Sequence, residues 1–292
     1  MKHRIEYAAA RLFIAFLQLL PVGLSLWTGA MLGRLFYVLD RRHREIALNN
    51  LASALGREKS EKERKQIARG SFENLGRSVA EICRLQRAVS PDLQKRIEIE
   101  GWDHYRSALD QGKGVICLTA HFGNWELAPA ALSFHDFQMY FVARALDNPY
   151  LNRMLNAWRE RNGNRILNKK TASDEIVRLL RKGATVGFLL DQNTARKEAV
   201  FVDYFGMPAA THKGLAILAL RTGAPVVPAF IIRQEERHKL IIEKPLEPVR
   251  TGRLQNDIYE TTALFTKKIE SYVRQYPDQW LWVHRRWKTK RE

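Results

Sequence analysis

VICLTAHFGNWELAPA (residues 115–130) changes character twice within a few residues. Its apolar, β-rich opening is of the kind buried on both faces of a sheet. The run stops at His121, a Gly123-Asn124 turn follows, and apolar residues resume behind Glu126. On one continuous helix His121 and Glu126 would diverge by roughly 140°. They converge only if the chain changes form between them. Glycine tolerates such a turn and asparagine is a good N-cap, so the spacing predicts a strand ending at His121 and a helix starting near Glu126. In that arrangement the glutamate reaches back to an imidazole nitrogen, sets the tautomer and makes the other nitrogen a general base. Free amides at the helix start then face a developing oxyanion. The spacing alone also fits a histidine and a glutamate satisfied separately at a strand end.

Outward from this stretch the elements alternate. IEIEGWDHYRSALDQGKG reads as a short strand and a helix closed by glycines, QMYFVAR as a strand, and NPYLNRMLNAWRERNG as a helix ended by Gly163. ASDEIVRLLRKG is a helix with an acidic first turn and a glycine stop, TVGFLLD a strand and GLAILALRTG a helix. APVVPAFIIRQ and KLIIEKPLEPV read as strands, and DIYETTALFTKKIESYVRQYP as the last long helix. On the amino-terminal side EIALNNLASAL is helical. A second helix follows, with Ile67, Phe72, Leu75, Val79, Ile82 and Leu85 at helical spacing and a capping box of Ser60 and Glu63. The class is α/β, with a mixed, partly parallel sheet flanked by helices. Sites in such sheets gather at the carboxyl ends of strands, where both His121 and Asp191 stand.

The chain has 292 residues and a formal charge of +17, which points to a polyanionic partner: nucleic acid, an anionic membrane surface or an acidic carrier protein. Two cysteines, Cys83 and Cys117, make no disulfide framework and no zinc pattern, and read as buried, reduced thiols. The run Leu12–Gly33 carries no charge and is flanked by Arg11 and Arg34. It is long enough to cross a hydrocarbon core, though Gln18, Pro21, Ser25 and Thr28 weaken it, and a helix pair broken at Pro21 is the other reading. The basic Arg41, Arg42, His43 and Arg44 follow closely, as beside anionic headgroups. Residues 1–45 are assigned to membrane attachment, spanning or interfacial, and 46–292 to a catalytic domain. The terminal WLWVHRRWKTK interleaves tryptophan and cations, as at the headgroup level, while an alternating strand with Trp280 and Trp282 in the core also fits.

AHFGNWE, VARALDNPYLNRMLNAWRERNG, FLLDQN, VFVDYFGMPAATHKGLAILALRTGAPVVPAF and QWLWVHRRWKTK together resemble the lipid A secondary (lauroyl and myristoyl) acyltransferases. These lie within the glycerolipid acyltransferase superfamily, whose signature is His-x4-Asp/Glu, and the resemblance covers essentially the whole chain. It implies transfer of a fatty acyl group from acyl carrier protein to a hydroxyl of a lipid A precursor, in lipopolysaccharide biosynthesis at the cytoplasmic face of the bacterial inner membrane. It implies His121 as general base with Glu126 orienting it, and neither metal nor cofactor. The substrate-binding candidates are Gly123, Asn124, Arg144, Arg159, Arg161, Asp191, Gln192 and Asn193. The arginines suit an acceptor phosphate or the carrier's phosphopantetheine, and Gln192 and Asn193 suit sugar or amide groups. The expected partners are acyl carrier protein, a phosphorylated glycolipid and an anionic membrane surface. The sequence departs from the wider superfamily in lacking a Phe-Pro-Glu-Gly-Thr-Arg block and in carrying the charged TARKEA after Asn193. An acyltransferase acting on another glycolipid or a lysophospholipid is the alternative. A nucleic-acid-binding protein would explain the charge, yet no binding motif for it is present and no nucleic-acid partner is expected.

Overall fold

Pro21 decides the first architectural feature. A proline disfavours helical backbone at the residue before it, and Leu20 is extended (φ −73°, ψ 148°). The uncharged run is thereby cut into α1 (Lys2–Leu19) and α2 (Val22–Leu39) and forms no single span. The computed structural model describes residues 1–84, 94–135, 137–161, 163–167 and 172–291. Next come α3 (Arg41–Leu55) and α4 (Glu61–Arg84). The capping box forms as expected: Ser60 N donates to Glu63 Oε2 at 2.7 Å, and Glu63 N donates to Ser60 Oγ at 3.3 Å. α2 is long and apolar enough to cross a membrane by length and composition, but it lies along α4. Their backbones touch at glycines. A Cβ at Gly76 would stand 2.1 Å from the Gly29 carbonyl oxygen, and one at Gly33 would stand 2.2 Å from that of Phe72. Arg34 pairs with Glu73 across the same seam (Nε to Oε1, 2.5 Å). Elsewhere α1 exposes Leu12, Phe16 and Leu19, and α2 exposes Trp27, Phe36 and Leu39.

The remaining order is β1 (Ile97–Glu100), α5 (Trp102–Leu109), β2 (Val115–Thr119), α6 (Leu127–Leu132), β3 (Met139–Val142), α7 (Pro149–Arg161), β4 (Arg165–Leu167), α8 (Ala172–Arg181), β5 (Thr185–Leu189), β6 (Ala199–Tyr204), β7 (Met207–His212), α9 (Gly214–Thr222), β8 (Val226–Gln234), β9 (Arg237–Ile242) and α10 (Leu254–Gln275). Seven strands form one sheet in the order β1-β9-β8-β2-β5-β3-β4. All neighbours are parallel except β8 and β9, which are joined by a tight turn. β6 and β7 form a separate antiparallel hairpin, and neither this hairpin nor β4 stood out from the strand pattern. The expected strand through Val249 ends at Ile242, because Pro245 and Pro248 cannot donate to a ladder.

Alternation along the central strands divides two cores. In β2 and just beyond it Ile116, Leu118 and Ala120 face one side with α3, α4, α8, α9 and α10, while Val115 and Cys117 face the other with α5 and α6. Both cysteines are free and buried. Trp280 and Trp282 are fully buried in the first core, so the headgroup seating expected for them is corrected. Two large aromatic surfaces gain more from that core than from a wet interface.

Gly76→Val should overpack the α2–α4 seam and destabilise the protein by about 1–3 kcal/mol, lowering the thermal midpoint and exposing Arg34 to trypsin. An unchanged midpoint with unchanged proteolysis would show that the backbones do not meet at these glycines.

Candidate active site

β2 and β5 are parallel neighbours in register, Thr119 opposite Leu189. Each chain continues two residues past its strand, to His121 and to Asp191, so the two side chains emerge side by side at the carboxyl edge of the sheet. His121 Nδ1 lies 2.9 Å from Asp191 Oδ1, and the His121 amide donates to Oδ2 at 3.0 Å. Trp280 Nε1 donates to the same Oδ2 at 2.8 Å. Asp191 is buried (3% exposed). Burial alone would raise its pKa, but the histidine beside it and these three hydrogen bonds hold it below the usual carboxylate range. Burial would likewise push His121 down, and the Asp191 charge and hydrogen bond, with the Glu126 charge, hold it above the ordinary histidine value. With Nδ1–H donating to Asp191, Nε2 presents a lone pair. The Gln192 amide donates to it at 3.2 Å. Trp125 stands edge-on to the imidazole at 5.1 Å between centroids.

Glu126 is not the residue that holds His121. The turn carries it round to the start of α6, where it meets α7: Arg159 Nε donates to Oε2 at 2.9 Å, and Arg159 Nη2 to Oε1. The pair is bidentate and mostly buried, with the guanidinium 5.6 Å over the Phe141 ring. The correction has a topological cause. A parallel neighbour strand delivers Asp191 to Nδ1 more directly than a local turn delivers Glu126. Glu126 and Arg159 border a small depression, partly open to solvent, whose other walls include Ile82, Pro129, Phe141, Leu155 and Trp158.

The turn between them is held from behind. Gly123 has φ +59°, and a Cβ there would lie 1.9 Å from the Ile231 carbonyl oxygen, so only glycine fits. Its N–H donates to the Gln279 carbonyl at 2.9 Å, and its carbonyl accepts from Asn74 Nδ2 at 3.2 Å and Ser78 Oγ at 3.4 Å. Asn124 is buried and donates Nδ2 to Glu81 Oε2 at 2.7 Å. Glu81 also pairs with Arg233 (Nη1 to Oε1, 2.6 Å; Nη2 to Oε2, 2.8 Å) and His238 Nε2 at 2.8 Å. Burial would raise the Glu81 pKa, but His238 and Arg233 hold it far below the carboxylate range. The Gly123 carbonyl and the Asn124 side chain are therefore engaged in shaping the turn. Among the described residues, the backbone N–H groups of Asn124, Trp125 and Glu126 make no hydrogen bond, which leaves them as donors for an oxyanion. The network behind the turn escaped sequence reading, although Asn74, Ser78 and Glu81 form an i, i+4, i+7 polar stripe on an otherwise amphipathic helix.

Residues 3–289 match the family model described as bacterial lipid A biosynthesis acyltransferase. The chain belongs to this family. Three relatives from Escherichia coli (strain K12) are similar over most of both chains. They are a lipid A biosynthesis lauroyltransferase, 28% identical over 94% of this chain and 88% of its own length, and a palmitoleoyltransferase, 27% identical over 93% and 87%. The third is a myristoyltransferase, 25% identical over 90% and 80%. The protein is thus an acyltransferase.

The other candidate residues of this acyltransferase separate. Gln192 meets His121 Nε2 directly. Asn193 does not face the site: Nδ2 donates to Thr289 Oγ1 at 3.0 Å and Oδ1 accepts from Thr289 N at 3.1 Å, tying the strand-end loop to the carboxyl terminus. Arg144 is exposed just beyond β3, and Arg161 is exposed at the end of α7. Among the described residues no group of three His, Cys, Asp or Glu side chains is placed to hold a metal ion.

Arg233→Met leaves the Glu81 carboxylate buried without its guanidinium, and should cost about 3–5 kcal/mol. Adding Glu81→Met should restore part of that loss, since replacing both ions removes the unpaired charge. Denaturant unfolding of both variants measures this. A double variant less stable than the single one would show that the pair itself is a net source of stability.

Proposed function

We propose that this acyltransferase moves a fatty acyl chain from acyl carrier protein to a hydroxyl of a phosphorylated lipid A precursor, with His121 as general base and Asp191 as the residue that orients it. The observation that carries the reading is the 2.9 Å contact between His121 Nδ1 and the buried Asp191 carboxylate. With Nδ1–H donating there, Nε2 is the nitrogen left to accept, in contact with Gln192. A thioester is already an activated donor, so the site must supply only a base and an oxyanion partner. Nε2 takes the acceptor hydroxyl's proton as its oxygen attacks the thioester carbonyl. The tetrahedral oxyanion meets the amides at the start of α6. On collapse the carbon–sulfur bond breaks and the proton on Nε2 passes to the departing thiolate, leaving an ester and a free thiol. Gln192 must release Nε2 for the hydroxyl to reach it, and its amide is then free to hold the acceptor.

The apolar side chains that line the depression, Ile82, Phe141, Leu155 and Trp158, offer the acyl chain a surface beside the Glu126–Arg159 pair. The exposed apolar faces of α1 and α2 and the adjacent Arg41, Arg42 and Arg44 support seating on an anionic bilayer. Because α2 lies along α4, that seating is interfacial. The family and the basic face support the cytoplasmic side of the inner membrane, where acyl thioesters and lipid A precursors meet.

His121→Ala should lower turnover by about 10²–10⁴-fold, the usual share of a general base, in a protein that stays folded. Near-wild-type turnover by the folded variant would sink the mechanism. Glu126→Gln should be milder, because that side chain does not touch the base.

Acid inactivation gives a second measurement. The base must be neutral, and its pKa is held above the ordinary 6.5, so kcat/KM should fall as pH drops through a midpoint above that value. Asp191→Asn removes the charge that raises it, and should slow the reaction while moving the midpoint down. A midpoint that stays put would assign the acid limb to another group. The acceptor is tested by offering a phosphorylated lipid A precursor and a lysophospholipid in parallel. Exclusive transfer to the lysophospholipid would move the substrate to the glycerolipids.

A further inference from the structure

The cations of this chain divide into two populations. Many are neutralised by a carboxylate, as in Arg34–Glu73, Lys239–Glu100 and Arg274–Glu58. A second set is not. Arg196, Lys197, Arg285, Lys288, Lys290 and Arg291 are all exposed, and among the described residues none of the six makes an ion pair, whereas nearby His212 lies 3.9 Å from Glu198. They come together in space although they lie far apart in sequence. Arg196 Nη2 donates to the Lys290 carbonyl at 2.9 Å, and Lys213 Nζ donates to the Lys197 carbonyl at 3.0 Å. Within 194–198 and 283–291 Glu198 is the one acidic residue.

This surface is fastened to the site. The reciprocal Asn193–Thr289 hydrogen bonds join the carboxyl-terminal segment to the loop that begins at Asp191. Two residues of chain span at most about 7 Å, so the base-orienting carboxylate lies close to the edge of the patch. Its composition separates it from the bilayer-facing side. None of the exposed large apolar side chains falls within 194–213 or 283–291, whereas α1 and α2 present Leu12, Phe16, Trp27 and Phe36. A bilayer surface takes cations together with apolar anchors. A patch of exposed cations without such anchors suits a protein face of opposite charge, which it steers through long-range attraction.

We propose that this patch is the docking surface for the acyl donor's acidic carrier protein, which presents its thioester over the Asp191 loop. The proposal rests on the donor assigned above and adds where the donor binds. The test compares the wild type with the Lys197→Glu/Lys288→Glu/Lys290→Glu variant and with the corresponding Lys→Arg triple, checked for folding by thermal denaturation. Each is assayed with acyl carrier protein thioester and with the carrier-free acyl-N-acetylcysteamine thioester. Charge reversal should raise KM for the carrier-bound donor by about ten-fold at low salt, with kcat little changed, the effect shrinking as salt screens it. The carrier-free donor should be used equally by all three proteins, and the arginine triple should behave as wild type. A wild type that uses the two donors equally would overturn the donor itself. A wild type that prefers the carrier, with a charge-reversed variant that keeps its KM, would overturn the docking surface and leave the donor standing. Loss of binding to phosphatidylglycerol vesicles with an unchanged KM would make the patch a lipid contact instead, and likewise overturn it.

Discussion

A single buried carboxylate ties the molecule's chemistry to its fold. Asp191 accepts from an imidazole, from the backbone of the same histidine and from Trp280, which follows α10. The bonds join the loop after β5 to the turn that leaves β2 and to the segment beyond α10. A buried carboxylate is tolerated only when its lone pairs are satisfied, so these three partners must arrive together. The charge thus set beside His121 keeps the imidazole in one tautomer and more basic than usual.

Behind the turn a second polar layer does a different task. Glu81, Arg233, His238, Asn74 and Ser78 lie between α4 and the β8–β9 pair, with bonds to both Gly123 and Asn124. Gln279 adds a further grip, holding the Arg233 backbone through its side chain while its own carbonyl takes the Gly123 amide. The desolvation of these groups is offset by mutual pairing rather than by solvent. The result is a turn whose backbone has little freedom, which suits the general-base role proposed for His121.

Two exposed surfaces of the molecule differ in character. α1 and α2 present apolar side chains to solvent while glycines let α2 press its inner face onto α4. Around the loop that follows Asp191 the exposed side chains are instead mainly cationic. Under the proposed function these would receive a lipid and a thioester carrier, two reactants of unlike character.

Much of this was legible in the residues. Period-two and period-3.6 patterns place β1, β2, β3, β5 and β8 and most helices, and the strand-turn-helix form of VICLTAHFGNWE marks His121 as the end of a strand. The partner of that histidine was not legible. Glu126 is its near neighbour in sequence and Asp191 is its neighbour in the sheet. Strand order and register bring residues seventy positions apart into contact, and local periodicity carries no information about strand order. The same holds for Trp280 and Trp282: an alternation of tryptophan and cations fits an interface or a core, and the packing of α10 against the sheet settled it as core. The Glu81–Arg233 pair was hidden for a related reason, because a polar stripe on one helix acquires meaning only when another strand supplies its counter-charge. The sequence by itself determined the class of elements, their order and the place of His121 at a strand end; the tertiary structure decided which carboxylate meets that histidine, because hydrogen-bond partners are chosen by distance across the sheet and not by distance along the chain.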